Sequence, residues 1–96
     1  MNKGLLATVT AKPGKENEVL EFLKSAQALA TEEPLTLTWY AFQISDDKFG
    51  IFDTFESDEG RDAHLNGKIA AALMEHADEL LAEPPKIEKI DILANK

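Results

Sequence analysis

The two histidines of the chain are its first candidates for proton transfer, because an imidazole titrates near neutral pH. His64 ends a short segment with helical spacing, where it can accept a proton at the entrance of an aromatic pocket or pair with a neighbouring carboxylate such as Asp62. His76 lies on an apolar stripe between Ile69 and Leu80, so its ring is predicted to face inward. A proton-transfer role and a structural role stay open for both histidines.

A carboxylate in apolar surroundings is the second candidate for chemistry. Asp53 alternates with Phe49, Ile51 and Phe55, so it shares one face of a predicted strand with three apolar side chains. Such an aspartate can act as a general base. It can equally pair with Arg61, or with a lysine across an interface, and both interpretations stay open.

The aromatic side chains can stack on a flat ring or simply pack the core and a dimer interface. Trp39 and Tyr40 stand out because each also carries a polar group that can hydrogen-bond a ligand. Leu73 and Met74 are expected to line any cavity beneath the last predicted helix. The candidate ligand-binding residues are Trp39, Tyr40, Phe42, Asp53, Phe55, Leu73 and Met74.

These residues lie on alternating strand and helix patterns. Period-2 alternation and β-branched or aromatic residues predict strands, and apolar residues three or four apart predict helices. The predicted order is strand 5–11, helix 14–30, strand 35–44, strand 48–55, short helix 58–65, helix 68–81 and strand 87–93. This β-α-β-β-α-β order, with the second helix broken in two, is that of a ferredoxin-like α+β fold with helices on one face of the sheet.

The predicted second strand is apolar on both of its faces. Leu37 and Trp39 alternate with Tyr40 and Phe42, so neither side is polar. Helices on one side of a sheet cannot cover both faces, whereas two sheets from two copies can pack face to face. The pattern therefore predicts a homodimer.

Length and composition limit the kind of protein. The 96 residues suffice for one domain, predicted to span 1–96, and the net charge of −8 argues against nucleic acid and anionic membranes as partners. The absence of cysteine excludes disulfides and thiolate nucleophiles, and the first six residues lack the apolar run of a signal peptide. A cytoplasmic location is expected. No dinucleotide-binding or phosphate-binding motif and no metal-ligand cluster is present.

Three stretches resemble a known family over nearly the whole chain. They are the turn Lys12-Pro13-Gly14-Lys15-Glu16, the Trp39-Tyr40 strand, and residues 49–57 running into Arg61-Asp62-Ala63-His64-Leu65. Together they resemble the antibiotic biosynthesis monooxygenase superfamily. The resemblance implies two ferredoxin-like protomers whose sheets pack into a shared α+β barrel, with a small pocket between sheet and helices.

The same resemblance implies an activity. Members of known activity oxygenate phenolic or quinol-like aromatics with dioxygen and without metal or flavin, so no cofactor is expected. A related branch degrades haem. The first strand here carries Ala7 and Thr8 and no amide, and helix 58–65 has no tryptophan, which disfavours haem degradation.

Two hypotheses therefore remain. One is a cofactor-independent monooxygenase acting on a small aromatic substrate, and the other is a non-catalytic dimeric barrel that binds a small molecule. A cavity lined by a histidine and a tyrosine favours the enzyme, whereas a filled core with both histidines paired favours the binding protein.

Overall fold

The computed structural model describes all 96 residues. Its elements are β1 Lys3–Thr10, α1 Glu16–Thr31, β2 Thr38–Gln43, β3 Lys48–Phe55, α2 Asp58–Leu65, α3 Lys68–Leu80 and β4 Lys86–Asp91. None of the three helices is both long and apolar enough to cross a membrane.

The four strands form one sheet in the order β2-β3-β1-β4, and every neighbouring pair is antiparallel. On β1, Leu5 pairs with Asp53 of β3 and with Lys89 of β4. Asp53 pairs on its other side with Trp39 of β2. This arrangement confirms the predicted ferredoxin-like α+β order and places Asp53 on a central strand.

The core lies between the sheet and the helices. Leu5, Ala7 and Val9 of β1 are buried, while Leu6, Thr8 and Thr10, which alternate with them, are only half-buried. The buried stripe of α1, which includes Val19 and Leu23, packs against this face because its members are three or four positions apart. Each large apolar side chain removed from water here contributes about 1.5–3 kcal/mol.

The second strand is shorter than predicted. It begins at Thr38 rather than at residue 35, because Pro34 and Leu35 form a turn instead. The backbone N–H of Thr36 donates to the carbonyl of Glu33 at 3.3 Å, which closes that turn. Leu37 still donates to the carbonyl of Thr54, so the chain approaches the sheet before regular pairing begins.

Other boundaries also differ from the predicted ones. α1 begins at Glu16 because Gly14 has a φ of 87°, which does not belong to a right-handed helix. β4 ends at Asp91, whose partner on β1 is Lys3, the first residue of that strand. Leu93, placed by the prediction in the last strand, is 95% exposed because β1 offers no further backbone to pair with.

The other face of the sheet has no helix over it. Phe42 pairs with Gly50 across the β2–β3 ladder, and a Cβ built on Gly50 would lie 2.3 Å from Cζ of Phe42. The ring therefore occupies the space that a side chain at residue 50 would need. Phe52 lies against Gly4 in the same way, and Tyr40 on this face is 59% exposed. The uncovered face consequently carries aromatic and apolar side chains, as the two-faced strand pattern predicted, beside the polar side chains of Thr8, Lys86 and Glu88.

Candidate functional site

His64 is buried between two carboxylates. Its Nδ1 lies 2.7 Å from Oε1 of Glu33, and its Nε2 lies 2.8 Å from Oδ2 of Asp53. The imidazole is 6% exposed and its ring centroid lies 5.6 Å from that of Phe55. A carboxylate, an imidazole and a second carboxylate thus form a row across the interior of the protein.

Three different elements supply this row. α2 carries His64 on the face that packs against the sheet, and β3 carries Asp53 at a position where both neighbouring strands cover it. Glu33 lies in the connection between α1 and β2, where the Thr36 hydroxyl donates a 2.8 Å hydrogen bond to its Oε1. The turn that shortens β2 therefore also holds the Glu33 carboxylate against His64.

The electrostatic balance favours a charged imidazole. Burial alone lowers the pKa of His64, but the short contact with Asp53 and its charge attraction, together with the hydrogen bond to Glu33 and its charge attraction, outweigh that effect. The pKa of His64 is therefore raised above its ordinary value of 6.5. The protonated ring presents an N–H to each carboxylate.

Asp53 retains acceptor capacity. It is 0% exposed, and its contact with Nε2 is short but deviates from hydrogen-bond geometry, so neither carboxylate oxygen has a hydrogen-bond partner. A buried carboxylate without such partners is costly, and groups of this kind are typical of functional sites. Asp53 can thus accept a proton or a hydrogen bond from a ligand.

A cavity of about 120 Å³ adjoins Asp53 and His64 between the sheet, α2 and α3. Apart from these two residues its lining is apolar: Leu5, Ala7, Ile51, Leu65, Ile69, Ala70, Leu73, Met74 and Ile87. Met74 and Ile87 are partly exposed, so they lie towards the outer side of the cavity. A dry apolar cavity of about 150 Å³ holds a benzene ring, so this volume suits a single ring.

A second, more open depression of about 430 Å³ lies on the other side of the imidazole. Glu32, Glu33, Thr36 and Lys68 give it a polar lining, together with residues of α2. His64 is the only residue that lines both this groove and the apolar cavity. No group of three or more His, Cys, Asp or Glu side chains is arranged to hold a metal ion.

Two of the predicted pairings do not form. His64 pairs with Glu33 and Asp53 rather than with Asp62 of its own helix. Arg61 donates to the carbonyls of Gly4 and Ile90 and to the carboxylate of Asp58, so it does not pair with Asp53. Within α2, positions 61 and 64 project towards different parts of the sheet.

The structure gathers some of the predicted site residues and separates others. Asp53, His64, Leu73 and Met74 line the apolar cavity, and Phe55 packs against the His64 ring. The prediction that His76 faces inward is wrong. That residue is exposed because it lies at the margin of the α3 stripe, and its ring centroid lies 5.6 Å from that of Phe22 in an edge-to-face arrangement.

The remaining aromatic candidates lie outside the cavity. Tyr40 and Phe42 are on the uncovered face of the sheet. Trp39 is half-buried beside α1, where it packs against Ala26 and Ala30, and its indole N–H has no hydrogen-bond partner. The cavity therefore contains a histidine but no tyrosine, which matches neither of the two outcomes set out from the sequence.

Sequence reasoning missed Glu33. The Glu32-Glu33-Pro34 segment indicated only the end of a helix. Glu33 is separated from its partner His64 by 31 positions, so no local pattern connects them.

Solved structures show what this chain is similar to. A crystal structure of a protein of unknown function from Nitrosomonas europaea is 47% identical, with a TM-score of 0.97 over 99% of this chain and 92% of that one. A candidate antibiotic biosynthesis monooxygenase from the same organism is 15% identical, with a TM-score of 0.85 over 96% of this chain and 99% of that one. A further antibiotic biosynthesis monooxygenase structure is 16% identical, with a TM-score of 0.82 and the same two coverages.

The fold is that of the antibiotic biosynthesis monooxygenase superfamily, which confirms the resemblance drawn from the sequence. The chain belongs to the same family as the Nitrosomonas europaea protein of unknown function. No family model matches the sequence, and no curated protein is significantly similar to it.

Proposed function

We propose that this protein is an oxygenase that uses dioxygen to oxidise a phenol or quinol with a single aromatic ring, and that Asp53 removes the hydroxyl proton of the substrate. The observation that carries the proposal is the apolar cavity whose only polar lining residues are Asp53 and His64. The fold shared with antibiotic biosynthesis monooxygenase structures supports it.

The chemistry needs little from the protein. Deprotonation makes the ring electron-rich enough to give an electron to dioxygen, so the protein must bind the ring, accept a proton and keep water away. For a hydroquinone the reaction balances without an added reductant: one hydroquinone and one dioxygen give one hydroxyquinone and one water. The substrate itself supplies the electrons.

Each residue then has a defined role. Both nitrogens of His64 face carboxylates, so Asp53, whose oxygens have no hydrogen-bond partner, is the group that can face a substrate hydroxyl. Nε2 of the imidazole lies 2.8 Å from Oδ2 of Asp53 and holds that carboxylate beside the cavity. Leu73, Ile69 and the other apolar residues of the lining contact the ring.

The uncovered sheet face supports a homodimer as the active form. Phe42, Phe52 and Tyr40 lie on this face together with the half-buried Leu6 and Ile90. A second copy packed on the same face would remove these side chains from water and form the α+β barrel that the family resemblance implies.

Oxygen consumption tests the proposed activity. We would incubate metal-stripped protein and chelator in air with single-ring hydroquinones and phenols, and compare the rate with that of heat-inactivated protein. Asp53→Asn should lower kcat by about 100-fold or more, the usual contribution of a general base. Asp46→Asn, the same change at an exposed position of the β2–β3 turn, should leave the rate unchanged.

The second hypothesis is a non-catalytic barrel that binds a single-ring ligand in the same cavity. The pairing of both His64 nitrogens favours it, because a fully engaged histidine is also what a structural role requires. Saturable binding of a phenol without any oxygen uptake would favour this function over the oxygenase.

A further inference from the structure

We propose that the substrate carries a substituent para to the hydroxyl that faces Asp53, and that Met74 and Ile87 determine how wide this substituent can be. The inference rests on the proposed function, because it describes how the single ring lies in the cavity beside Asp53. It names the substrate class as para-substituted phenols, with hydroquinone as the member whose substituent is a second hydroxyl.

The first observation is that the cavity has a closed end and an open end. Asp53 is 0% exposed and His64 is 6% exposed, whereas Met74 is 57% exposed and Ile87 is 43% exposed. All four residues line the same cavity. A hydroxyl held by Asp53 therefore lies at the closed end, and Met74 and Ile87 form the opening to solvent.

The strand register places the two ends on opposite sides of the cavity. Asp53 is on β3 and Ile87 is on β4, and β1 runs between these two strands. Two strand spacings amount to about 10 Å across the sheet. Ala7 of β1 pairs with Ile51 on one side and with Ile87 on the other, and its small side chain leaves room for a ring. A ring that extends from Asp53 across Ala7 points its para position towards Ile87.

Helix α3 covers the cavity with two rows of side chains. Ile69 and Leu73, four positions apart, are both buried and form the inner row. Ala70 and Met74, also four positions apart, form the outer row, which is half-buried at Ala70 and exposed at Met74. A substituent next to the hydroxyl meets the packed inner row, whereas a para substituent passes the outer row and reaches solvent.

The opening stays free in the proposed dimer. Ile87 pairs with the buried Ala7, so it lies on the side of the sheet that the helices cover. A second copy on the uncovered face would contact the opposite side of the sheet and leave the opening in contact with water. The para substituent can therefore be longer than the cavity, while Met74 and Ile87 limit its width.

A para substituent also decides where oxygen enters the ring. With the para carbon occupied, oxygen bonds to the ring carbon next to the hydroxyl, inside the closed part of the cavity. One para-alkylphenol and one dioxygen give one ortho-quinone and one water. The phenol O–H bond and one ring C–H bond break, one oxygen atom becomes the new carbonyl, and the other leaves as water with both hydrogens. The ring supplies all the electrons, so no added reductant is needed.

Two isomers of one phenol test the orientation without requiring turnover. Para-ethylphenol and ortho-ethylphenol have the same apolar groups, but only the para isomer can direct its ethyl group through the opening. We expect wild-type protein to bind the para isomer about 10-fold or more tightly, because the ortho isomer must place its ethyl group among packed side chains. Equal affinities, or tighter binding of the ortho isomer, would overturn the inference.

The methionine methyl groups report where the phenol binds. The chain contains two methionines, Met1 and Met74, so protein labelled at the methionine methyl groups gives two NMR signals. The spectrum of Met74→Ala assigns them. Titration with para-ethylphenol should shift the Met74 signal in a saturable way and leave the Met1 signal unchanged. Saturable binding that leaves the Met74 signal unchanged would place the phenol elsewhere and contradict the proposed opening.

The variant Met74→Ala tests the width of the opening. Because Met74 is more than half exposed, its truncation should leave the fold intact. We expect the affinity for para-tert-butylphenol, relative to that for para-methylphenol, to rise about 10-fold over wild type, since the shorter side chain admits the branched group. Calorimetric titration measures both affinities.

The matched control for this variant is Glu75→Ala. Glu75 is the next residue of α3, is exposed and does not line the cavity, so its truncation should keep the wild-type ratio of the two affinities. A folded Met74→Ala protein that also keeps the wild-type ratio would overturn the role of Met74.

Oxygen uptake separates this inference from the proposed function. A wild type that prefers para-ethylphenol in binding but consumes no oxygen overturns the oxygenase and leaves the orientation of the ring in place. A wild type that consumes oxygen with both isomers at equal kcat/KM overturns the orientation and leaves the oxygenase in place. A wild type that binds neither phenol overturns both.

Discussion

At the scale of single residues, burying the row of Glu33, His64 and Asp53 costs folding free energy. The row takes two carboxyl groups and an imidazole largely out of water, and Asp53 lacks hydrogen-bond partners. An apolar residue of similar volume at position 53 would extend the row of Phe49, Ile51 and Phe55 along β3. Stability alone does not explain the carboxylate, whereas a catalytic or ligand-binding role does.

The raised pKa of His64 makes stability depend on pH in a defined direction. At pH values between 6.5 and the pKa of His64 in the folded protein, the native state binds more protons than the unfolded state. The stabilisation from this site is complete below pH 6.5 and is lost as the pH rises through the native pKa. We expect the urea midpoint to decrease over this window and His64→Gln to flatten the decrease.

The exposed histidine provides the control for this titration. His76→Gln should keep the wild-type pH dependence, because that ring lies at the surface without a carboxylate partner. If His64→Gln and wild type lost stability in parallel over the same window, the raised pKa would not be the cause.

At the scale of elements, Arg61 sets where α2 lies. Its Nη1 donates to the carbonyl of Gly4 in β1 and to that of Ile90 in β4, each at 3.2 Å. Its Nη2 donates to the carboxylate of Asp58 at 3.0 Å. The guanidinium therefore anchors the helix to two strands. Because His64 is on the same helix, this anchor also determines how far the imidazole is from Asp53.

Replacement of Arg61 by methionine should show how much that anchor stabilises the folded protein. Arg61→Met leaves two carbonyls and one carboxylate without their donor, and we expect it to lower the free energy of unfolding by about 2–3 kcal/mol. Lys24→Met on the exposed side of α1 should change it by no more than about 0.5 kcal/mol. Urea unfolding of both variants measures the difference, and equal effects would show that Arg61 is not an anchor.

At the scale of the whole molecule, the sheet is covered on one side only. Helices α1, α2 and α3 protect the face that carries Leu5, Ala7 and Val9, and the aromatic face with Phe42 and Phe52 has no cover from the same chain. A chain of this size buries a modest fraction of its surface, so the proposed interface between two copies would add a substantial part of the total stability.

A charge placed on the uncovered face should separate the protomers. Tyr40 is 59% exposed in the single chain, so Tyr40→Glu should cost the monomer little but should be buried without a partner in a dimer. Sedimentation should give twice the chain mass of 10.6 kDa for wild type and the single-chain mass for the variant. Ala28→Glu on the exposed side of α1 should remain dimeric, and a monomeric wild type would contradict the interface.

Whether a feature of the fold was predicted correctly depends on how local its signal in the sequence is. The boundaries of β3 and α2 matched the predicted 48–55 and 58–65, because strand alternation lies within β3 itself and the residue directly before α2, Ser57, has the extended backbone of a helix N-cap. The predicted start of β2 was wrong, because the strand-like composition of the sequence begins before the strand itself, within a turn. Pro34 lies in that turn, and the hydrogen bond from the backbone N–H of Thr36 to the carbonyl of Glu33 closes it. The predicted inward orientation of His76 was wrong, because only packing decides which residues at the edge of an apolar helical stripe are buried.

The sequence by itself determined the order of the elements, the side-chain alternation of β1 and β3 and the presence of an apolar second face, because these depend on periodicities of a few residues. Only the tertiary structure decided the site. The antiparallel register sets Asp53 in the centre of the sheet, and the α1–β2 connection brings Glu33 to His64 across 31 positions. Contacts of such separation depend on how whole elements pack, and neighbouring residues carry no record of them.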